Sequence, residues 1–249
     1  MKLTVLGAGT FYSQLGRTGS SYLIEFDDQK IVFDMGRGTI RNLLDLEQDL
    51  FAIQHVFITH VHADHLLELI PWMIQIAKDI YDERQHEVYY VYGPAGFKKS
   101  IFSLYEAYAN NTSKLEPVFE FVELTEEQLI NKGWKLTTHK CDHIPDKLCL
   151  AYRLEANNKV FFYSGDSGYT NNLVVGAKDA DLAIIEACIP NIDGHMNATE
   201  AGKIATLANV KKLLLTHVDK LYLTDVDNDV KKTYTGWYKI AQDKQEIHF

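Results

Sequence analysis

Apolar residues recur along the chain in two spacings that predict alternating strands and helices. Short runs rich in β-branched and aromatic residues predict buried strands, and apolar residues three and four positions apart predict helices. We expect strands at residues 2–6, 21–26, 30–33, 54–58, 88–92, 117–122, 134–139, 148–154, 159–163, 182–186 and 212–216. We expect helices near residues 38–47, 66–79, 95–108, 125–131, 170–177, 198–208 and 228–242. This mixed α/β pattern predicts sheets covered by helices on their outer faces, with the strand-end loops gathered along one edge.

The segment after the predicted strand at 54–58 concentrates metal-binding side chains. It has the pattern His-x-His-x-Asp-His, with three imidazoles and a carboxylate within six positions. On an extended or turning backbone alternate side chains project the same way, so His60 and His62 can converge on one ion while Asp64 and His65 face a second. A surface loop or a set of structural histidines is the alternative, but unpaired buried imidazoles and carboxylates cost free energy. The segment therefore predicts a binuclear metal site.

The same segment resembles the metal-binding signature of the metallo-β-lactamase superfamily, and three later residues match the family pattern. His143 precedes an apolar strand containing Tyr and Arg, Asp166 lies in a Gly-Asp-Ser-Gly turn, and His217 ends an apolar run. Simple turn chemistry or a structural histidine remains the alternative for each, and His139 competes with His143 for the third imidazole. The resemblance implies an α/β fold of the four-layer αββα sandwich type, which the hydrophobic pattern alone does not decide.

The resemblance also implies how the ligands are shared between two divalent ions. It assigns one metal to His60, His62 and His143, the other to Asp64, His65 and His217, and the bridging position to Asp166. Imidazole nitrogen and carboxylate oxygen suit zinc best, with manganese or iron as alternatives.

Residues 163–187 and 195–202 are similar to the phosphodiesterase branch around ribonuclease Z. In that branch the histidine that matches His195 stabilises the scissile phosphate or protonates the leaving oxygen, and an acidic residue orients it. Glu186 is the candidate for that acid. The alternative for His195 is a loop position beside a helix start, with Asn197 or Thr199 as the N-cap.

Three departures from related patterns narrow the function. Drug-hydrolysing β-lactamases usually carry a cysteine at the position of Asp166. Here Cys141, Cys149 and Cys188 all lie elsewhere, which disfavours that class of enzyme. The long arm with which ribonuclease Z grips transfer RNA is absent, since residues 155–159 predict only a tight hairpin at Asn157-Asn158. Lys220 stands where family members tend to carry an arginine. Its ammonium group could contact a phosphate, but not through the two parallel hydrogen bonds that a guanidinium makes.

Composition narrows the substrate class further. The 249 residues carry a formal charge of −9, and the lysine pairs are scattered without a basic stripe, so we do not expect binding of long nucleic acid. We expect one metallo-hydrolase domain over residues 1–249. The first residues alternate like an opening strand and lack signal-peptide features, no apolar run matches a membrane helix, and three cysteines do not suggest a disulfide framework. We therefore expect a cytoplasmic protein. The family resemblance also suggests a homodimer.

The function we expect is hydrolysis of a small or cyclic phosphodiester or a short nucleic acid by a metal-bridging hydroxide. Asp64 would accept the proton, and His195, held by Glu186, would assist the leaving oxygen. Tyr12 and Arg17, in a loop that borders the site, are candidates to contact substrate, with Lys220 as a third; a surface turn is the alternative for that loop. Trp72, Tyr105 and Tyr108 either form a second wall or belong to the core.

Two alternative functions remain open. One is an ester, lactone or thioester hydrolase on the same binuclear scaffold, for which His195 and Glu186 would be less needed. The other is a non-catalytic metal-binding or redox protein, although the chain leaves no residues for the flavin domain that usually accompanies diiron versions of this fold.

Overall fold

Two seven-stranded sheets form the centre of the computed structural model, which describes residues 1–81, 88–109, 115, 117–188 and 192–249. The first sheet has the order β14-β1-β2-β3-β4-β5-β6. Its strands are β1 (Lys2–Gly7), β2 (Ser21–Phe26), β3 (Gln29–Phe33), β4 (His55–Phe57), β5 (Tyr89–Pro94), β6 (Phe119–Leu124) and β14 (Glu246–His248).

The second sheet has the order β13-β12-β11-β10-β9-β8-β7. Its strands are β7 (Gln128–Asn131), β8 (Trp134–Lys140), β9 (Leu150–Ala156), β10 (Lys159–Tyr163), β11 (Leu182–Glu186), β12 (Lys212–Thr216) and β13 (Trp237–Ile240). In each sheet the antiparallel strands lie toward one side and parallel pairs such as β3–β4 and β11–β12 toward the other.

Helices cover the outer faces of both sheets. They are α1 (Thr39–Asp45), α2 (Ala63–Leu66), α3 (Leu69–Tyr81), α4 (Phe97–Ala109), α5 (Asn171–Gly176), α6 (Ala198–Leu207) and α7 (Leu223–Val230), with short 3-10 turns at Leu50–Ala52 and Lys220–Tyr222. Among the described residues, no helix combines the length and apolar character that crossing a bilayer requires.

Three apolar layers hold these elements together. Between the sheets, aromatic rings interlock: the ring centroids of Phe33 and Phe57 lie 5.4 Å apart and those of Phe33 and Phe161 5.2 Å apart. A second layer lies between the first sheet and helices α1, α3 and α4, and a third between the second sheet and α5, α6 and α7. Because the central strands are buried on both faces, their sequences are continuous apolar runs rather than alternating ones. This is the four-layer αββα sandwich that the family resemblance implied.

The predicted hairpin at Asn157-Asn158 is confirmed. Strands β9 and β10 pair directly across it, with Ala156 opposite Lys159. Both asparagines have positive φ, 50° and 56°, which is the conformation a two-residue hairpin turn requires. The chain therefore reverses here within two residues and extends no arm between β9 and β10.

Two predicted helices are wrong. Residues 125–131 contain strand β7, and residues 228–242 contain only the end of α7 before the chain enters strand β13. In both places edge pairing with the second sheet outweighs local helix preference: β7 pairs antiparallel with β8, and β13 runs parallel to β12. The pattern also did not predict strand β14, which closes the first sheet beside β1.

Candidate active site

Four segments at one edge of the sandwich bring the predicted metal ligands together. The loop after β4 carries His60 and His62, helix α2 carries Asp64 and His65, and the other ligands come from the loops that follow β8, β10 and β12. Strand β11 delivers Glu186 at its last position, and the loop before α6 delivers His195.

Two local backbone features fix these loops. Gly165 has φ +58°, and a Cβ there would lie 2.9 Å from the Cβ of Thr59, so only glycine permits the close approach of the turn that carries Asp166. His217 itself has φ +54°, an unfavourable conformation for a residue with a side chain. Strain of this kind at a site residue is retained where the surrounding structure imposes it.

The first group of nitrogen atoms comes from three histidines. One ring nitrogen each of His60, His62 and His143 lies within 4.8 Å of the others. His62 Nδ1 is 3.1 Å from His143 Nε2. The Nε2 atom of His60 is buried and has no hydrogen-bond partner, which is costly unless a cation satisfies it.

The second group combines two carboxylates with two histidines. Single ligand atoms of Asp64, His65, Asp166 and His217 all lie within 4.8 Å of one another. His217 Nε2 is 3.2 Å from Asp64 Oδ2, and His65 Nε2 is 3.2 Å from Asp166 Oδ2. Ligand atoms bound tetrahedrally to one zinc ion at about 2.1 Å lie roughly 3.4 Å apart, so this spacing fits a metal ion.

Asp166 lies between the two groups. Its Oδ2 atom is 3.9 Å from the Nε2 atoms of both His60 and His143, and 3.4 Å from Nε2 of His217. Burial favours the neutral acid, but the surrounding imidazoles, with His217 and His65 foremost, hold the pKa of Asp166 well below its usual value. The carboxylate oxygen therefore lies within 3.9 Å of ligand atoms of both groups, which is the position that the predicted bridging role requires.

Hydrogen bonds turn the histidine rings so that Nε2 faces the cluster. The Nδ1 atoms of His60, His65 and His143 contact Thr59 Oγ1 at 3.0 Å, Asp34 Oδ2 at 2.7 Å and the Gly194 carbonyl at 2.8 Å. Burial lowers the pKa of His143 to about 4 and that of His60 well below its ordinary value, so both rings are neutral and suited to a metal ion. Such second contacts are what orients metal-binding imidazoles.

Asp34 is a site residue that the sequence analysis missed. It is fully buried at the end of β3 and accepts hydrogen bonds from the Thr59 amide at 2.8 Å, from Tyr163 Oη at 2.8 Å and from His65 Nδ1. The available signal was an acidic residue that ends the apolar run Ile31-Val32-Phe33 and precedes Met35-Gly36. A carboxylate in that position needs partners, because burying it alone is costly.

His195 and Glu186 form a pair beside the cluster. His195 Nδ1 is 2.9 Å from Glu186 Oε2, and Glu186 also accepts a hydrogen bond from the Ser167 amide. Burial and the Asp166 charge raise the pKa of Glu186 to about 7. Burial alone would lower the pKa of His195, but its hydrogen bond to Glu186 raises it. Nδ1 is thereby committed to Glu186, and Nε2 is the ring nitrogen left for a substrate.

His195 also lies beside a helix start, as its structural alternative predicted. Asn197 caps α6 by accepting a hydrogen bond from the Glu200 amide, and the Glu200 side chain accepts one from the Asn197 amide. This capping box explains Asn197 but makes no use of the His195 ring, which is 4.0 Å from Asp166 Oδ2. Both features are therefore present together.

The three candidate substrate contacts lie in different environments. The guanidinium of Arg17 is buried and donates to the carbonyls of Ala8, Val218 and Ala241 at 2.9–3.0 Å, an arrangement that favours a role in joining the site loops. Tyr12 is 66% exposed, and Lys220 is exposed on the 3-10 turn after His217. The Lys220 amide donates to Gln14 Oε1, so the loops that carry Tyr12 and Lys220 are neighbours.

The helix aromatics do not form a second wall as a group. Trp72 and Tyr105 are buried in the layer between the first sheet and its helices, which confirms the core alternative for both. Trp72 donates its indole N–H to the Leu50 carbonyl at 3.3 Å. Tyr108 is 65% exposed on α4.

Fold and site together define a hydrolase of the metallo-β-lactamase fold. The structure of the metallo-β-lactamase fold protein YhfI from Bacillus subtilis matches with a TM-score of 0.85 and 22% identity, over 99% of this chain and 98% of that one. In sequence, the chain is 27% identical to the probable metallo-hydrolase YhfI of Bacillus subtilis, over 97% of each chain. It is 25% identical to ribonuclease Z of Haloferax volcanii over 304 aligned positions, covering 99% of this chain and 94% of that protein.

A more specific family follows from the chain as a whole. The family model described as anti-Pycsar protein Apyc1 matches residues 1–245. The chain belongs to this family. The predicted relationship to the ribonuclease Z group of the superfamily is confirmed by the same comparisons.

Proposed function

We propose that this protein is a binuclear-metal phosphodiesterase that hydrolyses a small phosphodiester, with a cyclic nucleotide as the favoured substrate. The observation that carries the proposal is the Glu186–His195 pair, which lies beside the shared Asp166 carboxylate. An imidazolium whose Nδ1–H is bonded to a carboxylate beside a metal site is suited to protonate a departing alkoxide from Nε2, a step that phosphodiester cleavage needs.

The donor set would hold two divalent cations as the family resemblance implies. His60, His62 and His143 form the first set and Asp64, His65 and His217 the second, with Asp166 shared, and nitrogen and oxygen donors of this kind favour zinc. When bound, two such ions supply Lewis acidity and lower the pKa of a coordinated water to about 7.

The chain's own groups would then move the protons. Asp64 belongs to the second set, and its carboxylate would accept the proton of the attacking water. His195 would give a proton from Nε2 to the leaving oxygen, while Glu186 keeps the ring in place through Nδ1. Asp64 would thus act as the base toward the attacking water and His195 as the acid toward the leaving oxygen.

Three observations favour a small substrate. The net charge of −9 disfavours a long polyanion, because neutralising phosphates supplies much of the affinity for nucleic acid. The β9–β10 connection is a two-residue turn with no arm to grip transfer RNA. Membership of the anti-Pycsar Apyc1 family favours a cyclic nucleotide over precursor transfer RNA.

The proposal is tested by metal analysis of the purified protein combined with a substrate screen. We expect about two equivalents of zinc, manganese or iron per chain and hydrolysis of 3′,5′-cyclic nucleotides. A chelator should abolish the activity, and adding the metal back should restore it, because the bound metal ions are what activate the attacking water. The same protein preparation is assayed in parallel against a panel of lactones and thioesters.

Two outcomes would contradict the proposal. One is turnover of lactones or thioesters without any turnover of phosphodiesters, which would assign the site to carboxylic esters. The other is full phosphodiesterase activity in protein that has been stripped of metal and shown to be metal-free.

A further inference from the structure

A pocket of about 220 Å³ opens directly beside the candidate metal site. Helix α4 lines it with Phe97 and Ser100, and the loop that follows His143 lines it with Ile144 and Lys147. His60 lines the pocket and also belongs to the first group of metal ligands. His60 is therefore shared between the pocket and the candidate metal site, and the two lie next to each other.

The pocket is lined by both apolar and polar side chains. Phe97, Ile144 and Leu148 supply the apolar surface, while Ser100 and Lys147 supply hydrogen-bond donors. Small-molecule sites combine largely apolar walls with a few polar groups that fix orientation. The volume suits a flat ring system rather than a whole nucleotide, since complete ligand pockets span roughly 300–1,000 Å³.

The helix end beside the pocket is already occupied by a carboxylate. The amides of Gly96 and Lys98, at the start of α4, donate to Glu123 Oε1 at 3.0 and 3.1 Å. A helix start would otherwise attract a phosphate, but here a second anion would meet the Glu123 charge. The charged part of a ligand is therefore directed to the metal site, and the pocket receives an uncharged part.

We propose that this pocket binds the base of the nucleotide whose phosphodiester lies at the metal site. The inference rests on the proposed phosphodiesterase function and adds to it a second recognition site. Phe97, Ile144 and Leu148 enclose the faces of the ring, and Lys147 and Ser100 donate to acceptor atoms on its edge. Lys147 is a specificity-determining residue in this arrangement.

The test compares a 3′,5′-cyclic nucleotide with the 3′,5′-cyclic phosphate of 1-deoxyribose, which has the same charge and sugar but no base. Lys147→Ala should lower the ratio of kcat/KM for the nucleotide to that for the base-free compound by about tenfold, because one hydrogen bond to the base is lost. Ser100→Phe, which fills the pocket, should lower the ratio further. Lys99→Ala, an exposed lysine on the same helix outside the pocket, should leave the ratio within about twofold of wild type.

Dissociation constants of the slowly hydrolysed phosphorothioate analogues of the same two compounds, measured by calorimetry on metal-loaded protein, give a readout that does not depend on turnover. The proposed base pocket would be overturned if the nucleotide to base-free ratio stayed at the wild-type value in both pocket variants. It would also be overturned if both compounds lost affinity equally, because an equal loss reports only the charge that the two compounds share. Hydrolysis of neither compound by wild-type protein would overturn the proposed function instead. In that case the ratio of the two dissociation constants still decides whether the pocket binds the base.

Discussion

Replacing Asp64 with alanine is expected to lower kcat on a cyclic nucleotide by about 10³-fold, even where metal is still bound. Asp64 Oδ2 lies 3.2 Å from His217 Nε2 and 3.7 Å from His65 Nε2, so the carboxylate belongs to the second group of ligands. In the proposed mechanism it also accepts the proton of the attacking water. The variant loses a ligand and a proton acceptor together, whereas the first group of histidines is intact. Metal content and kcat are measured on the same preparation.

Asp28→Ala is the matched control, since Asp28 is an exposed aspartate in the β2–β3 turn. It should behave as wild type in both metal content and turnover. Wild-type turnover in a metal-replete Asp64→Ala protein would refute the role assigned to this carboxylate.

His195→Ala is expected to lower kcat on a cyclic nucleotide by about 10²-fold while metal content stays at the wild-type value. His195 Nδ1 is bonded to Glu186, so the ring is held for proton transfer and is absent from both groups of proposed metal ligands. The loss should be much smaller on bis(p-nitrophenyl) phosphate, because p-nitrophenolate leaves without needing a proton. The measurement compares kcat for the two substrates.

Glu186→Gln adds a second comparison, because residues that act as a unit are not additive. The double variant should be little slower than His195→Ala alone. His248→Ala is the control, since His248 is exposed on strand β14. An equal loss on both substrates, or a loss of metal in His195→Ala, would contradict the role of general acid.

The metal ligands could be predicted from sequence because their signal is local and tied to buried strands. Four of the seven lie within residues 60–65, and the family resemblance identified the other three, each beyond the end of a predicted strand. Runs of apolar residues predict buried strands, and a common layer of strands brings their end loops to one edge. The structure places all seven side chains at that edge, and their roles as ligands remain predictions.

The site contacts that the sequence pattern could not predict join residues that are far apart in the chain. Asp34 holds His65 across 31 positions, and Arg17 bonds to carbonyls as far away as Ala241. Arg17 looks like a free cation in sequence, but burial commits its donors to the backbone. The proposed role of Lys147 depends on its place in a pocket that α4 also lines, and no local sequence motif predicts that pocket.

The two wrong helices show the same limit for the fold. Residues 125–131 are rich in glutamate, glutamine and leucine, which favour helices. Thr138 on β8 nevertheless exchanges hydrogen bonds with the backbone of Thr125 and Glu127 and aligns this segment as an edge strand. Pairing across the sheet overrides an intrinsic preference worth only a few tenths of a kcal/mol per residue.

The central claim is that seven side chains hold two cations, and anomalous diffraction from crystals grown with manganese or zinc tests it most directly. We predict two anomalous peaks per chain, one within bonding distance of His60, His62 and His143 and one within bonding distance of Asp64, His65 and His217, with Asp166 touching both. Density with no peak among these residues, in crystals supplied with ample metal, would contradict the account.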